Sequence, residues 1–323
     1  MEAVKEAKVG LEQEEINERR RKYLNKKRAV NFFSNGLCHV ILIAIVFLIL
    51  FPFVEKLAVV FQSAQDALDP TVKYIAKNPT IEPLLETLGV LDYYKSLLTT
   101  FLFCSAVALL QVLSCTFVAY GFARFKFRFS GIMFGLVLMV LLIPPQIIMS
   151  GIYLEFSFFN WLGIPTLITG APVRIVETAW PFVILSGTAL AFKNSLYVYL
   201  MRQYFRGMPT EIEEAGMIDG TSTFGIFFRL MIPNAVPMMV TIFLFAFSWQ
   251  WTDYYYTGLF GDFSLLAQKL QNLTQYGENS LSTSYREAMV KTGILLVILP
   301  LVVVYLIGQR FFVQGISRSG IVG

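Results

Sequence analysis

Few residues in this chain have the types and spacing for covalent chemistry. The only histidine, His39, stands alone at the start of an apolar run, so no Ser/His/Asp or Cys/His relay is available. Cys38, Cys104 and Cys115 all lie in apolar runs without metal-ligand spacing and are expected to pack as small apolar side chains. No Gly-x-x-x-x-Gly-Lys-Ser/Thr phosphate loop occurs, so ATP hydrolysis by that route is not expected of this chain. No catalytic and no metal-ligating residue is assigned. Two polar constellations remain, and both suit binding and movement rather than bond-making.

The first runs from Phe205 to Phe224. Thr210 followed by Glu213 has the spacing of a capping box, which predicts a helix start, with Pro209 fixing the approach. Asp219-Gly220 predicts the turn that ends it, and Thr221 to Thr223 can cap a following helix. The small residues Ala215, Gly216 and Gly220 are expected to let another surface approach closely, with Glu213 and Glu214 offering carboxylates to it. An ordinary loop helix has the same local pattern.

The second is Trp249-Gln250-Trp251-Thr252-Asp253-Tyr254. Aromatic faces stack on sugar rings, and amides and carboxylates bind hydroxyls, so Trp249, Gln250, Trp251, Asp253 and Tyr254 are candidates for a solute path. An interfacial aromatic belt is the alternative reading. Asn194 and its neighbour Lys193 join the candidates because polar residues within apolar spans are costly.

The elements that must position these residues are membrane helices. Hydrophobic residues make up 56% of the 323, charged residues 15%, and the mean hydropathy is +0.61; a soluble domain carries about 25% charged residues. A crossing needs about 20 mostly apolar residues. Six stretches qualify: Leu37–Val54, Leu97–Phe122, Ile132–Tyr153, Ala179–Tyr204, Val236–Leu259 and Thr292–Phe312, with Pro144-Pro145 breaking the third. Lys and Arg concentrate before the first, after the second and fourth, and after the last, which places both termini in the cytoplasm. The first stretch is read as an uncleaved helix rather than a signal peptide. The net charge of +4 gives no reason to expect a nucleic-acid partner.

Glu214-Ala215-Gly216, then Gly220, then Leu230-Met231-Ile232-Pro233 resembles the Glu-Ala-Ala…Gly…Ile-x-Leu-Pro signature of binding-protein-dependent ABC importer permeases, with Gly216 in place of the second Ala. Ala119-Tyr120-Gly121-Phe122-Ala123-Arg124-Phe125, Ile143-Pro144-Pro145-Gln146, the run from Asn194 to Phe205, Trp249 to Asp253, and Gln309 to Ile316 are similar to carbohydrate permeases of the MalG type. That family's final Lys-Gly is Val322-Gly323 here.

The resemblance implies an all-α membrane protein with six transmembrane helices, in the type I ABC importer permease fold. It carries a cytoplasmic coupling helix at about 209–220, with Glu213, Glu214, Ala215, Gly216, Asp219 and Gly220 at the ATPase contact. It implies a cytoplasmic tail at 1–34, a first helix with an extracellular insert at 35–96, a permease core at 97–313, and a cytoplasmic tail at 314–323. The implied partners are a second permease, two copies of an ATPase that bind ATP and Mg, an extracellular or periplasmic solute-binding protein, and a sugar. This chain itself is expected to hold no cofactor. An ABC permease for a non-sugar solute is the nearest alternative. An ion-coupled secondary transporter is disfavoured by the scarcity of ionisable residues in the apolar runs and the lack of an internal repeat.

Overall fold

The computed structural model describes residues 34–277 and 282–319 together with Lys27 and Phe32, and side chains up to Phe311. Most of the expected N-terminal tail lies outside the described residues. The described chain is helical between its connections and divides into two compact units, 1–58 and 59–323. The first is dominated by α1, Ser34–Val59, whose most apolar window has no buried residue. Apolarity on every side, as α1 has, is what lipid solvation requires.

The second unit opens with the insert. Here α2 (Ala64–Leu68) is capped by Ser63, whose Oγ accepts from the Asp66 amide at 3.1 Å. Buried Asp66 accepts from the backbone N–H and the side-chain amide of Asn78, at 2.9 and 3.2 Å, which folds the loop back on itself. α3 (Glu82–Val90) packs on the last helix, where the Tyr285 hydroxyl donates to Glu86 at 2.9 Å.

α4 (Tyr93–Arg124) is the central post. Cys104, Ala108, Cys115 and Ala119 lie along one stripe with no exposed surface. Small side chains at this spacing let neighbouring helices approach closely, which is how helices associate in lipid. α9 (Asn194–Arg206) and α12 (Ile232–Thr252) pack there and contribute Tyr197, Met201, Phe205, Met238, Ile242 and Phe247 to the main core. At about 1.5 Å per residue, the 32 residues of α4 span roughly 48 Å, more than the roughly 30 Å of hydrocarbon. α4 is therefore longer than the hydrocarbon is thick.

The expected third span is two helices, α5 (Ser130–Val140) and α6 (Pro145–Ser157), meeting at 100°. Pro144 and Pro145 supply no N–H and cannot continue α5. A turn at Trp161–Gly163 leads to α7 (Ile164–Thr169).

The expected fourth span, Ala179–Tyr204, is not one helix. α8 (Trp180–Gly187) stops, Ala189 takes φ 60°, the amides of Leu190 and Ala191 both donate to the Leu185 carbonyl, and α9 begins at Asn194. Gly187 closes α8, but no Gly or Pro occurs at 188–193 to show that the chain turns there and restarts as α9.

After α10 (Glu211–Ile218), α11 (Thr223–Ile226) and a π-helical turn (Phe227–Met231) run continuously into α12. The fifth apolar helix thus begins at Thr223, well before the expected Val236, and ends at Thr252 rather than Leu259. It ends there because Asp253 starts a new helix, α13 (Tyr255–Phe260). α14 (Leu266–Leu273) and α15 (Thr283–Ser319) complete the unit. Among the described residues, four helices are long and apolar enough to cross a membrane, or five if the bent α5–α6 pair is one span.

Candidate functional site

α10 and its two turns form a compact bracket at the Arg124 end of α4. Its C-terminus is a two-bond cap. The Gly220 amide donates to Met217 and the Thr221 amide to Gly216, at 3.0 and 2.9 Å, with Gly220 at φ 74°. That left-handed position is open to glycine without a Cβ penalty. The Ser222 hydroxyl then caps α11, accepting from the Gly225 amide at 3.2 Å.

The N-terminus differs from the sequence expectation. Thr210 is already helical and its side chain makes no cap bond, so the capping box is absent. Glu213 is instead buried against α4. Its Oε1 accepts from the Tyr120 hydroxyl at 2.9 Å, and its Oε2 lies 3.3 Å from Arg124 Nε. That N–H is not aligned for a hydrogen bond, so the second contact is an ion pair. Arg124 Nη2 donates to the Met208 carbonyl at 2.8 Å, fixing the loop that leads into α10.

Gly216 is also turned inward. A Cβ there would lie 2.9 Å from Leu230 Cδ1 and 3.0 Å from Ile226 Cγ1. The close approach that its size permits is to α11 and the π-helical turn of its own chain, not to another surface. Glu214, Ala215, Met217, Ile218, Asp219 and Gly220 face outward. Met217 and Ile218 are 60% and 86% exposed, two apolar side chains on a helix end with no cover.

The second constellation lies where α4, the α8–α9 break and the end of α12 converge. A cleft of about 40 Å³ is lined by Gln111, Lys193, Tyr197, Trp249, Gln250, Asp253 and Tyr256 among others. Lys193 Nζ stands 3.9 Å from the centre of the Trp249 ring, a cation–π contact made possible by the break that starts α9. Trp249 is half-exposed.

Asp253 lines the cleft, but its carboxylate is already engaged. It accepts from the Tyr256 amide at 3.1 Å and from the Thr257 amide and hydroxyl at 2.8 and 2.7 Å, and so caps α13. The Gln250 amide nitrogen donates to Thr257 Oγ1 at 2.9 Å.

Three sequence candidates fall outside the cleft. Trp251 is fully buried and donates its indole N–H to the Val297 carbonyl at 2.9 Å. Tyr254 is exposed at the start of α13. Asn194 is fully buried, its side-chain amide without a hydrogen-bond partner among the described residues, and its carbonyl accepts weakly from Cys115 Sγ at 3.7 Å. Conversely, Gln111, Tyr197 and Tyr256 join the cleft without having been singled out. Gln111 carried a signal, as an amide within an apolar run of α4; the other two read as ordinary aromatics.

Residues 115–318 match the family model described as binding-protein-dependent transport system inner membrane component. The chain is 27% identical over 236 residues to the probable ABC transporter permease protein YurM of Bacillus subtilis (strain 168), covering 73% of this chain and 71% of that one. It is 28% identical over 262 residues to the galactooligosaccharides transport system permease protein GanQ of the same organism, covering 77% and 82%. It is 25% identical over 282 residues to the inner membrane ABC transporter permease protein YcjP of Escherichia coli (strain K12), covering 85% and 91%. Its fold is shared with a chain in the crystal structure of a bacterial ABC transporter involved in the import of the acidic polysaccharide alginate, at TM-score 0.65 and 18% identity over 86% of this chain and 96% of that one. A binding-protein-dependent importer works with a solute-binding protein outside and an ATPase. The chain belongs to the family of binding-protein-dependent transport system inner membrane components and is a multi-pass ABC importer permease of the inner membrane, not the ATPase.

Proposed function

We propose that this permease imports a sugar or oligosaccharide by alternating access, paired with a second permease subunit and two ATPase copies and supplied by a solute-binding protein. It crosses the membrane six times, with α8 and α9 as one broken crossing and both termini cytoplasmic. α10 is then a cytoplasmic coupling helix that meets the ATPase through its outward residues Glu214, Ala215, Met217, Ile218, Asp219 and Gly220. Glu213 and Gly216 serve that contact from behind, by holding the helix in place.

The observation that carries the reading is the bare end of α10. Met217 and Ile218 project from a helix fixed rigidly from behind, which is the form of a docking knob. Two adjacent exposed apolar side chains on an anchored helix outside the apolar spans suit a protein partner rather than lipid.

The sugar assignment draws on the residues around the cleft, where the half-exposed Trp249 ring suits stacking and Gln111 suits hydroxyl binding; at about 40 Å³ the cleft admits no sugar as it stands and must widen in the alternating cycle. It also draws on relatives such as GanQ, whose name assigns galactooligosaccharides to that protein. At about 1.5 Å per residue, Gln111 lies roughly 20 Å along α4 from Arg124. That depth is near mid-membrane, where transporters bind their cargo.

Affinity capture of this chain from membranes tests the proposal. An ATPase and a second permease are expected to co-purify, and Ile218→Asp is expected to release the ATPase. The complex with its binding protein, in liposomes, is expected to accumulate a neutral radiolabelled oligosaccharide when ATP is supplied. Capture of the chain alone, or a complex that moves only non-sugar solutes, overturns the respective part.

A further inference from the structure

We infer that Glu213 is a positioning residue that passes the movement of α10 to α4, through a two-point latch with Tyr120 and Arg124. The inference rests on the coupling role proposed for α10 and says how force leaves that helix.

α10 is bonded along the chain only to its flanking loops, and a loop transmits a push poorly. Two side-chain contacts bypass the loops. One is the Gly216 packing against Ile226 and Leu230, which leads into α12. The other is Glu213, the carboxylate that α10 turns inward and buries. Both of its oxygens are used on α4, one by the Tyr120 hydroxyl and one by the Arg124 guanidinium, and the same guanidinium holds the Met208 carbonyl.

Tyr120 and Arg124 are one helical turn apart on α4, so the carboxylate grips two successive turns of one rigid rod. Tyr120 is wedged among Phe205, Phe227 and Phe125, with ring centres 4.6 to 5.6 Å away, so α4 cannot slide under the latch without disturbing α9 and the π-helical turn. A buried charge pair has few alternative partners, and separating it would strand a charge. α10 and the end of α4 are therefore held to move together. The far part of the same rod carries Gln111 into the cleft, which places the latch and the proposed solute path on one rigid element.

The neighbouring Glu214 is exposed and takes no part, so two adjacent carboxylates have separate tasks. Glu214 faces outward, and Glu213 faces the chain's own frame.

The experiment follows hydrogen exchange over residues 117–125 and 211–218 in the co-purified complex, nucleotide-free and trapped with ATP and vanadate. Wild type is expected to change in both segments on trapping. Glu213→Gln should keep the ATPase and the change in 211–218, while the change in 117–125 falls at least threefold. Tyr120→Phe, which keeps the ring contacts, should reduce it about twofold.

A purely structural role would shift exchange in the nucleotide-free state and leave the trapping-dependent difference alone. The inference is overturned if 117–125 responds to trapping in both variants as in wild type. It is equally overturned if Glu213→Gln loses the ATPase, because the latch would then serve docking rather than transmission. A wild-type chain that captures no ATPase defeats the coupling reading itself, a distinct result.

Discussion

The indole N–H of Trp251 donates to the carbonyl of Val297, three residues before Pro300 in α15. A proline inside a helix supplies no N–H to the carbonyl four residues earlier and pushes the backbone open there. That carbonyl, on Leu296, accepts instead from the Tyr93 hydroxyl at 2.9 Å. Two aromatic donors, one from α4 and one from α12, thus reach carbonyls in the turn before Pro300, and the Tyr93 hydroxyl serves the one that the proline leaves without its helical N–H. Leaving such a group unpaired costs about 1–3 kcal/mol.

Trp251→Phe is therefore expected to lower thermal stability by about 1–3 kcal/mol without altering which solutes are transported. Trp249→Ala, in the cleft, should do the reverse, weakening uptake with little loss of stability. Thermal unfolding in detergent and uptake into liposomes, on both variants, separate the two roles. Altered solute preference in Trp251→Phe would return that residue to the path.

Gly220 holds the left-handed turn at φ 74°, with open space where a Cβ would stand. Gly220→Val should meet backbone strain rather than a clash, of about 1–2 kcal/mol, and should loosen the C-terminal cap of α10. The expected outcome is a correctly inserted chain that retains several-fold less ATPase on capture. Gly220→Asn, which tolerates the left-handed region, should retain more than Gly220→Val.

Gly216 presents the opposite case, a helical φ and crowded space. Gly216→Ala crowds both the flexible end of Leu230 and Ile226 Cγ1, which must give by a few tenths of an ångström, while it gains up to about 1 kcal/mol of helix propensity, so the two effects offset. It is expected to be near neutral. Gly216→Leu must displace Ile226 as well and should cost about 1–3 kcal/mol. Comparing the two melting temperatures with wild type checks both signs.

Glu213→Ala removes the partner of Arg124 and leaves a largely buried guanidinium unpaired. The expected loss is about 3–5 kcal/mol. Replacing both residues together, as Glu213→Leu with Arg124→Met, should recover much of it. The same double variant should still fail to convey trapping to residues 117–125, which distinguishes stability from transmission.

In the insert, Lys77 Nζ lies 2.6 Å from Asp69 and, with Thr71, holds its carboxyl well below the usual carboxylate range. A depressed carboxyl stabilises the fold above its ordinary value of 3.8 and loses that contribution as pH falls through its lowered value. The turn around Asp69 is therefore expected to keep its hydrogen-exchange protection just below pH 4, and Lys77→Ala to lose that protection at higher pH than wild type.

Sequence alone determined the features that depend on local chemistry. Apolar run length gave α1, α4 and α15, because the hydrocarbon must be spanned whatever the neighbours are. Pro144-Pro145 gave the break between α5 and α6, and Asp219-Gly220 gave the end of α10, because φ limits act on single residues. The family motifs located α10 and the aromatic run after it. What the tertiary structure decided is which way each polar side chain faces. Glu213 and Glu214 are adjacent and chemically alike, yet one is buried by Tyr120, over ninety positions away along the chain, and the other is not. Trp249 and Trp251 stand on opposite faces of α12 by helix geometry, and packing decides which face is the core, where Trp251 donates to the Val297 carbonyl. Gly187 can end α8, but nothing at 188–193 shows where α9 restarts; its placement against α4 and α12 is tertiary and puts Lys193 over Trp249. Long-range partners of this kind leave no periodicity and no spacing in the chain, because the energy that selects them arises only once distant helices meet.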